Sequence, residues 1–175
     1  EVASRVLQLA GPDSERSGPA RFALGGSAIS LGRPAEGVEH LDLAARLSTD
    51  APMLSVGTRP DVHSMAWAAH GYWLLGADER AAWCSRAAIA RARAMDHPYS
   101  VAVALAYGAV TDQMRGDLDE LRRKTAELSE RCERFGFAYY REWAMVLGGW
   151  VSGDRAGLET ARRGIDRLKA ARSFA

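Results

Sequence analysis

The sequence is poor in everything that ordinarily carries chemistry. No serine sits in a GxSxG turn, and neither GxxxxGK[ST] nor GxGxxG occurs. The chain therefore shows no nucleophile elbow, no P-loop and no dinucleotide fingerprint. Only two cysteines are present, Cys84 and Cys132, which points away from a disulfide framework or a zinc knuckle. Both fall inside expected helices, where a thiol behaves as a small buried hydrophobe. His63 and His70 stand two helical turns apart, roughly 10 Å along the axis, which one ion cannot bridge. His40 and His97 are isolated, and His97 lies at a helix end, where capping is the simpler role. No catalytic residue, no metal and no cofactor is expected in the chain itself.

Long apolar runs and charge excess are also missing. No stretch reaches the roughly 18 residues that span a bilayer. The longest candidate, 144–151, is interrupted by Gly148 and Gly149, a pair expected to permit close helix packing rather than to cradle phosphate. No secretory pattern precedes the first helix, so no membrane partner and a cytoplasmic location are expected. Its 23 basic and 22 acidic residues leave a net charge of +1, which argues against direct DNA binding. With 47% apolar and 26% charged residues, the composition is that of a globular chain. It opens on Glu1 without an initiator Met and ends on Arg172-Ser173-Phe174-Ala175 without a helix stop, so a piece of a longer protein is expected.

What the chain does have is helical periodicity. In residues 61–95, Met65, Ala68, Ala69, Tyr72 and Leu75 recur at three- and four-residue steps before Gly76, and Ala81, Cys84, Ala88 and Ala92 do so after it. That spacing gathers apolar groups on one face of each of two helices hinged at the glycine. The same unit recurs. Residues 21–31 and 34–47 flank Gly32, with Pro34 at a favoured first helical position. Residues 98–115 and a second arm ending at Phe135 flank Gly116, with Asp117 as N-cap and Glu120 three residues on. Residues 138–152 and 155–171 flank Gly153. A shorter helix over 2–9 is stopped by Gly11-Pro12-Asp13, and 48–60, with Pro52, Gly57 and Pro60, is a long connection of the kind often used functionally.

The turn glycines are thus 44, 40 and 37 residues apart. One helix pair buries only one face of each helix, so such units need neighbours of their own kind. The expectation is an all-α superhelix, a tetratricopeptide-like solenoid of about four helix-turn-helix repeats near 20–48, 60–96, 98–135 and 138–172. Tyr72, Gly76, Ala81 and Ala88 resemble the tetratricopeptide pattern. The second arms carry the charge: Asp119/Arg123, Glu120/Lys124, Glu127/Arg131 and Glu130/Arg134 are spaced i,i+4, as on a solvated outer face.

In such a stack the first arms line the inner wall. Overlaying the turns places there Phe22 and Ile29; His63, Ala66, His70 and Trp73; Val103, Ala106, Val110, Gln113 and Met114; then Tyr140, Trp143, Leu147 and Trp150. The wall is apolar and aromatic, with Trp73, Trp143 and Trp150 as candidate anchors. A bare patch of this kind is unusual in a soluble monomer. Either helices of the same chain, of flanking sequence or of a second copy cover it, or it is a groove for a helix, a peptide or a small apolar ligand.

Several stretches are similar to a known family: Arg59-Pro60-Asp61-Val62, the run 66–76 (AWAAHGYWLLG), His97-Pro98-Tyr99-Ser100 with the helix to Arg115-Gly116-Asp117, Phe135-Gly136-Phe137, and Leu147-Gly148-Gly149-Trp150. Over about 24–171 they resemble the C-terminal helical-repeat domain of large LuxR-type transcriptional regulators and adenylate-cyclase-associated signal-transduction ATPases, typified by the maltose regulator. The resemblance implies a non-catalytic sensing segment that relays ligand or partner binding to ATPase and output domains elsewhere. ATP would then belong to the parent protein. The alternative is a self-association scaffold, a homodimer built on the apolar wall.

Overall fold

The computed structural model describes residues 2–11, 14–48 and 59–171. Among them are nine α-helices, one short 3-10 turn at Glu15–Ser17 and no strand. The helices are α1 (Val2–Ala10), α2 (Gly18–Ser30), α3 (Pro34–Leu47), α4 (Pro60–Leu74), α5 (Asp78–Ala94), α6 (Pro98–Arg115), α7 (Leu118–Phe135), α8 (Ala138–Ser152) and α9 (Arg155–Ala170). After α1 they pair as α2/α3, α4/α5, α6/α7 and α8/α9, each pair joined by a short turn. Each first arm also packs on the preceding second arm: α4 on α3, α6 on α5, α8 on α7. The backbones of first arms approach one another (α2 with α4, α4 with α6, α6 with α8), whereas second arms, among the described residues, meet only through long side chains such as Arg93 and Glu127. First arms therefore sit on the inside of the curve, as expected for an α-α superhelix.

Local chemistry sets the helix ends. Proline occupies the first turn of α2, α3, α4 and α6, where its missing N–H costs nothing. Because Pro19 serves in this way, α2 begins at Gly18 rather than at Arg21. The backbone N–H of Ser100 donates to His97 Nδ1 at 3.2 Å, and that of Glu120 to the Asp117 carboxylate at 3.2 Å, so both expected caps form. Asp154 accepts from Gly157 N at 2.7 Å in the same role. Gly32, Gly76, Gly116 and Gly153 all have φ between 71° and 76°, the left-handed region that closes a helix. Between pairs, Gly136 has φ 73° and Asp96 φ 48°. An aspartate tolerates this conformation better than most side chains. Pro12, Asp13 and 49–58, the bulk of the long connection, lie outside the described residues.

The core centres on α6. Residues 101–106 are buried without a break, and with Val62, Ala88, Ala92, Leu128, Cys132 and Ala144 they form the main apolar cluster. A smaller cluster joins Ala109, Leu121, Leu147 and Val151. Cys84 and Cys132 are free and buried, and burial pushes both thiols up to about 11.

The outer-face reading of the second arms needs one correction. Lys124 turns inward: it and Asp112 are each 3% exposed, and its Nζ lies 2.6 Å from the Asp112 carboxylate. Asp112 and Lys124 stand four residues before and eight after Gly116, so folding at the turn brings them face to face. The α4/α5 and α8/α9 pairs have such internal links as well, with Asp61–Arg91 at 3.0 Å and Glu142–Arg167 at 3.6 Å. On the surface of α7, Asp119 pairs with Arg122 and Glu120 with Arg123 at i,i+3, rather than Asp119 with Arg123. Arg115 donates twice to Asp78 (2.7 and 2.9 Å), and Arg93 twice to Glu127 (2.9 and 2.8 Å), tying one pair to the next.

Candidate functional site

On the inner wall the rings form a ladder. Phe22 of α2 packs on His63 (centroids 4.7 Å) and Trp67 (5.6 Å) of α4. Tyr107 of α6 meets His63 at 4.9 Å, Trp67 at 5.9 Å and, stacked, His70 at 5.4 Å. It also stacks on Trp143 of α8 at 5.5 Å, and Trp143 continues to Tyr139 (5.8 Å) and Tyr140 (5.9 Å). Tyr140 reaches Tyr99 at 5.7 Å, and Tyr99 reaches Phe137 at 5.0 Å. Each such pair contributes about 0.5–1.5 kcal/mol beyond its burial. Tyr107 is the hub, since among the described residues it alone touches both α4 and α8 rings.

Helix geometry explains the alignment. His63, Trp67 and His70 follow i, i+4, i+7 on α4, as do Tyr139, Trp143 and Val146 on α8; Tyr107 and Val110 stand at i, i+3 on α6. Each is one stripe. On α2 the same stripe holds Phe22 and then Gly26, over which the six-membered ring of Trp67 lies so closely that a Cβ there would collide with it. The stripes carry no Asp, Glu, Lys or Arg.

Burial governs the titratable groups of the wall. His63 has neither ring nitrogen hydrogen-bonded, and desolvation lowers its pKa from 6.5 to about 4. Burial also lowers the His70 pKa, opposed by the hydrogen bond that its Nε2 donates to the Tyr107 carbonyl at 3.0 Å. Burial raises the phenols of Tyr107 and Tyr140. At neutral pH the wall is uncharged. Among the described residues no group of three or more His, Cys, Asp or Glu could hold a metal ion.

The expected site residues divide by position. Phe22, His63, His70, Tyr140 and Trp143 belong to the ladder. Leu147 lies beneath it in the smaller cluster. Trp73, Gln113 and Met114 are half-buried near the ends of α4 and α6, and Trp150 is exposed at the end of α8; none has a ring neighbour. Ala66, Val103 and Ala106, placed on the wall by the overlay, are instead core residues. The overlay misses Trp67, Tyr107 and Tyr139. A strict i, i+4, i+7 stripe drawn from His63 would have found Trp67.

At its C-terminal end the wall opens into an apolar hollow of about 300 Å³, lined by Val110, Tyr139, Trp143, Val146 and Leu147 with Ile165 and Leu168 of α9. No helix of the described residues is long and apolar enough to cross a membrane.

No protein-family model and no curated protein matches the sequence. Among solved structures, the chain is similar to a point variant of the nearly identical TPR-like repeats of a kinesin light chain-like protein from Podosopora anserina. That match has a TM-score of 0.64 at 14% identity and covers 98% of this chain and 84% of that one. At such identity the likeness concerns the fold alone, and the fold is a tetratricopeptide-like helical repeat.

Proposed function

We propose that the chain is a non-catalytic protein-interaction module whose inner wall takes up an apolar protein segment. One observation carries this: an uncharged, partly exposed band of rings runs unbroken across four stacked first arms. Aromatic anchors in partly desolvated surfaces dominate protein recognition. A helix or extended peptide laid across the stripes would meet Trp67, Tyr107, Trp143 and Tyr139 in turn. We infer further that the module is the sensing segment of a LuxR-type regulator or a cyclase-linked ATPase, supported by the short motifs around Pro60, Pro98, Phe137 and Gly148. A P-loop encoded upstream would strengthen this second step, and an unrelated neighbouring domain would remove it.

The test is selection from a displayed random-peptide library against the purified chain. Selected peptides are expected to be apolar, and to weaken at least about 10-fold on Trp143→Ala or Tyr139→Ala. They should be indifferent to Trp83→Ala, which removes an exposed indole of the outer helix α5. Far-UV circular dichroism checks each variant's helicity. Selection of peptides that depend on Trp83 and ignore Trp143 would defeat the proposal. Light scattering separates it from the self-association reading, which requires a dimer that Trp143→Ala dissociates.

A further inference from the structure

α9 repeats the outer helix α5, but among the described residues only α8 packs against it. The buried residues of α5 include Ala81, Ala88 and Ala92; those of α9 are Gly157, Gly164 and Leu168, the same spacing displaced by 76 residues. The helix ends correspond as well, Ala94 with Ala170. The register therefore matches Leu158 with Ala82 and Ile165 with Ile89. In α5 these positions are covered, Ala82 being 4% and Ile89 7% exposed. The cover is α6, whose Gly108 comes so close that a Cβ there would press on Ser85 and Ile89. In α9 Leu158 is 67% and Ile165 37% exposed. The hollow beneath Ile165 and Leu168, walled by α8, is the unfilled counterpart of the place that α6 takes between α4 and α5.

The charges repeat too. The same register matches Arg162 with Arg86 and Lys169 with Arg93. In α5 these bases face carboxylates of α7 spaced i, i+7. Arg93 donates to both oxygens of Glu127, and Arg86 shares a groove with Glu120. Glu120 is held below the usual carboxylate range first by Arg123, with a smaller contribution from Arg86. Arg162 and Lys169 have no acidic partner among the described residues. α9 as a whole carries five bases and two acids.

We propose that the α8/α9 end of the stack is a docking seat for a helical hairpin of defined chemistry. Its inner helix presents small residues to Leu158, Ile165 and Leu168. Its outer helix carries carboxylates at i and i+7 opposite Arg162 and Lys169. The apolar contact and the two charge contacts reproduce those by which α6/α7 seats on α5, so the occupant is specified by a precedent within the molecule. The seat adjoins the peptide surface proposed above, sharing Tyr139 and Trp143 at the hollow, but its exposed apolar residues and its two bases lie on α9, outside that surface.

The experiment supplies that hairpin. Residues 95–135 are fused a second time directly behind Ala170, reproducing the passage from Ala94 into α6, and Ile165→Cys is introduced as a reporter. Native Cys84 and Cys132 are buried, and the fused copy carries Cys132→Ser, so a thiol reagent reports on position 165. Fusion is expected to slow labelling at least about 10-fold, and Glu120→Lys with Glu127→Lys in the fused copy alone should restore most of the rate, as opening of a local contact does. Arg162→Glu with Lys169→Glu should rescue the charge-reversed copy. A fused hairpin that gains helicity but gives no protection would overturn the proposal, as would protection indifferent to charge reversal. A fused hairpin that gains no helicity counts against it equally, because the seat is what it should fold upon. If labelling of the unfused chain slows with protein concentration, a second copy holds the seat and the assigned occupant is wrong.

Discussion

His63→Phe should make the protein less sensitive to acid. The imidazole sits between Phe22, Trp67 and Tyr107 with both nitrogens unpartnered, and burial holds its pKa at about 4 against 6.5 when exposed. The unfolded chain therefore takes up this proton first. The contribution is intact above pH 6.5 and drains away as pH falls toward the native value near 4. Between about pH 7.5 and about pH 5, the unfolded state gains about 2 kcal/mol from protonation while the native state gains almost nothing. A phenyl ring keeps the packing and removes the titration. Urea unfolding of wild type and variant at the two pH values isolates the effect, because His70 and the carboxylates titrate in both proteins. The wild type should lose about 2 kcal/mol more than the variant over this interval. Parallel losses would mean that His63 is hydrated or hydrogen-bonded in solution, and that the ladder is looser than its ring contacts imply.

Four further predictions concern packing and backbone. Gly148→Ala should raise stability by about 0.5–1 kcal/mol in urea melts, since its Cβ would meet only Thr125 at ordinary contact distance. Gly149→Ala should lose about 1–3 kcal/mol, because its Cβ would strike the Gly157 carbonyl and the Ala161 nitrogen. Lys124→Met should cost about 3–5 kcal/mol by stranding buried Asp112, and the double variant Asp112→Leu/Lys124→Met should recover most of that, as a double-mutant cycle would read. Asp96→Gly should be neutral or slightly stabilising, whereas Asp96→Ala should cost about 1 kcal/mol at φ 48°; thermal melts distinguish the two.

The paired architecture was legible because turn glycines and periodic arms state it in one dimension. The inner wall was less so. α4 and α6 are apolar nearly all round, so no polar face fixes their rotation. An overlay anchored on the turns then chose Ala66, Val103 and Ala106, all core residues, over Trp67 and Tyr107. α7 posed the opposite difficulty: its charges read as uniformly solvated, and only the fold brings Asp112 across the turn to bury Lys124. The open face of α9 was hidden for a third reason. Leu158 and Ile165 look like any core stripe in sequence, and only their exposure shows that nothing covers them.

The unbroken burial of 101–106 along α6 gives the molecule a spindle. Neighbours grip that helix on every side, so it is the last to loosen, and amide protons there should exchange only when the whole assembly opens. A guest bound across Trp67, Tyr107 and Trp143 would bear on a shaft that does not yield. Any signal it transmits must then be expressed as a swing of the hairpins on either side of that shaft, with α8/α9 carrying its open seat along.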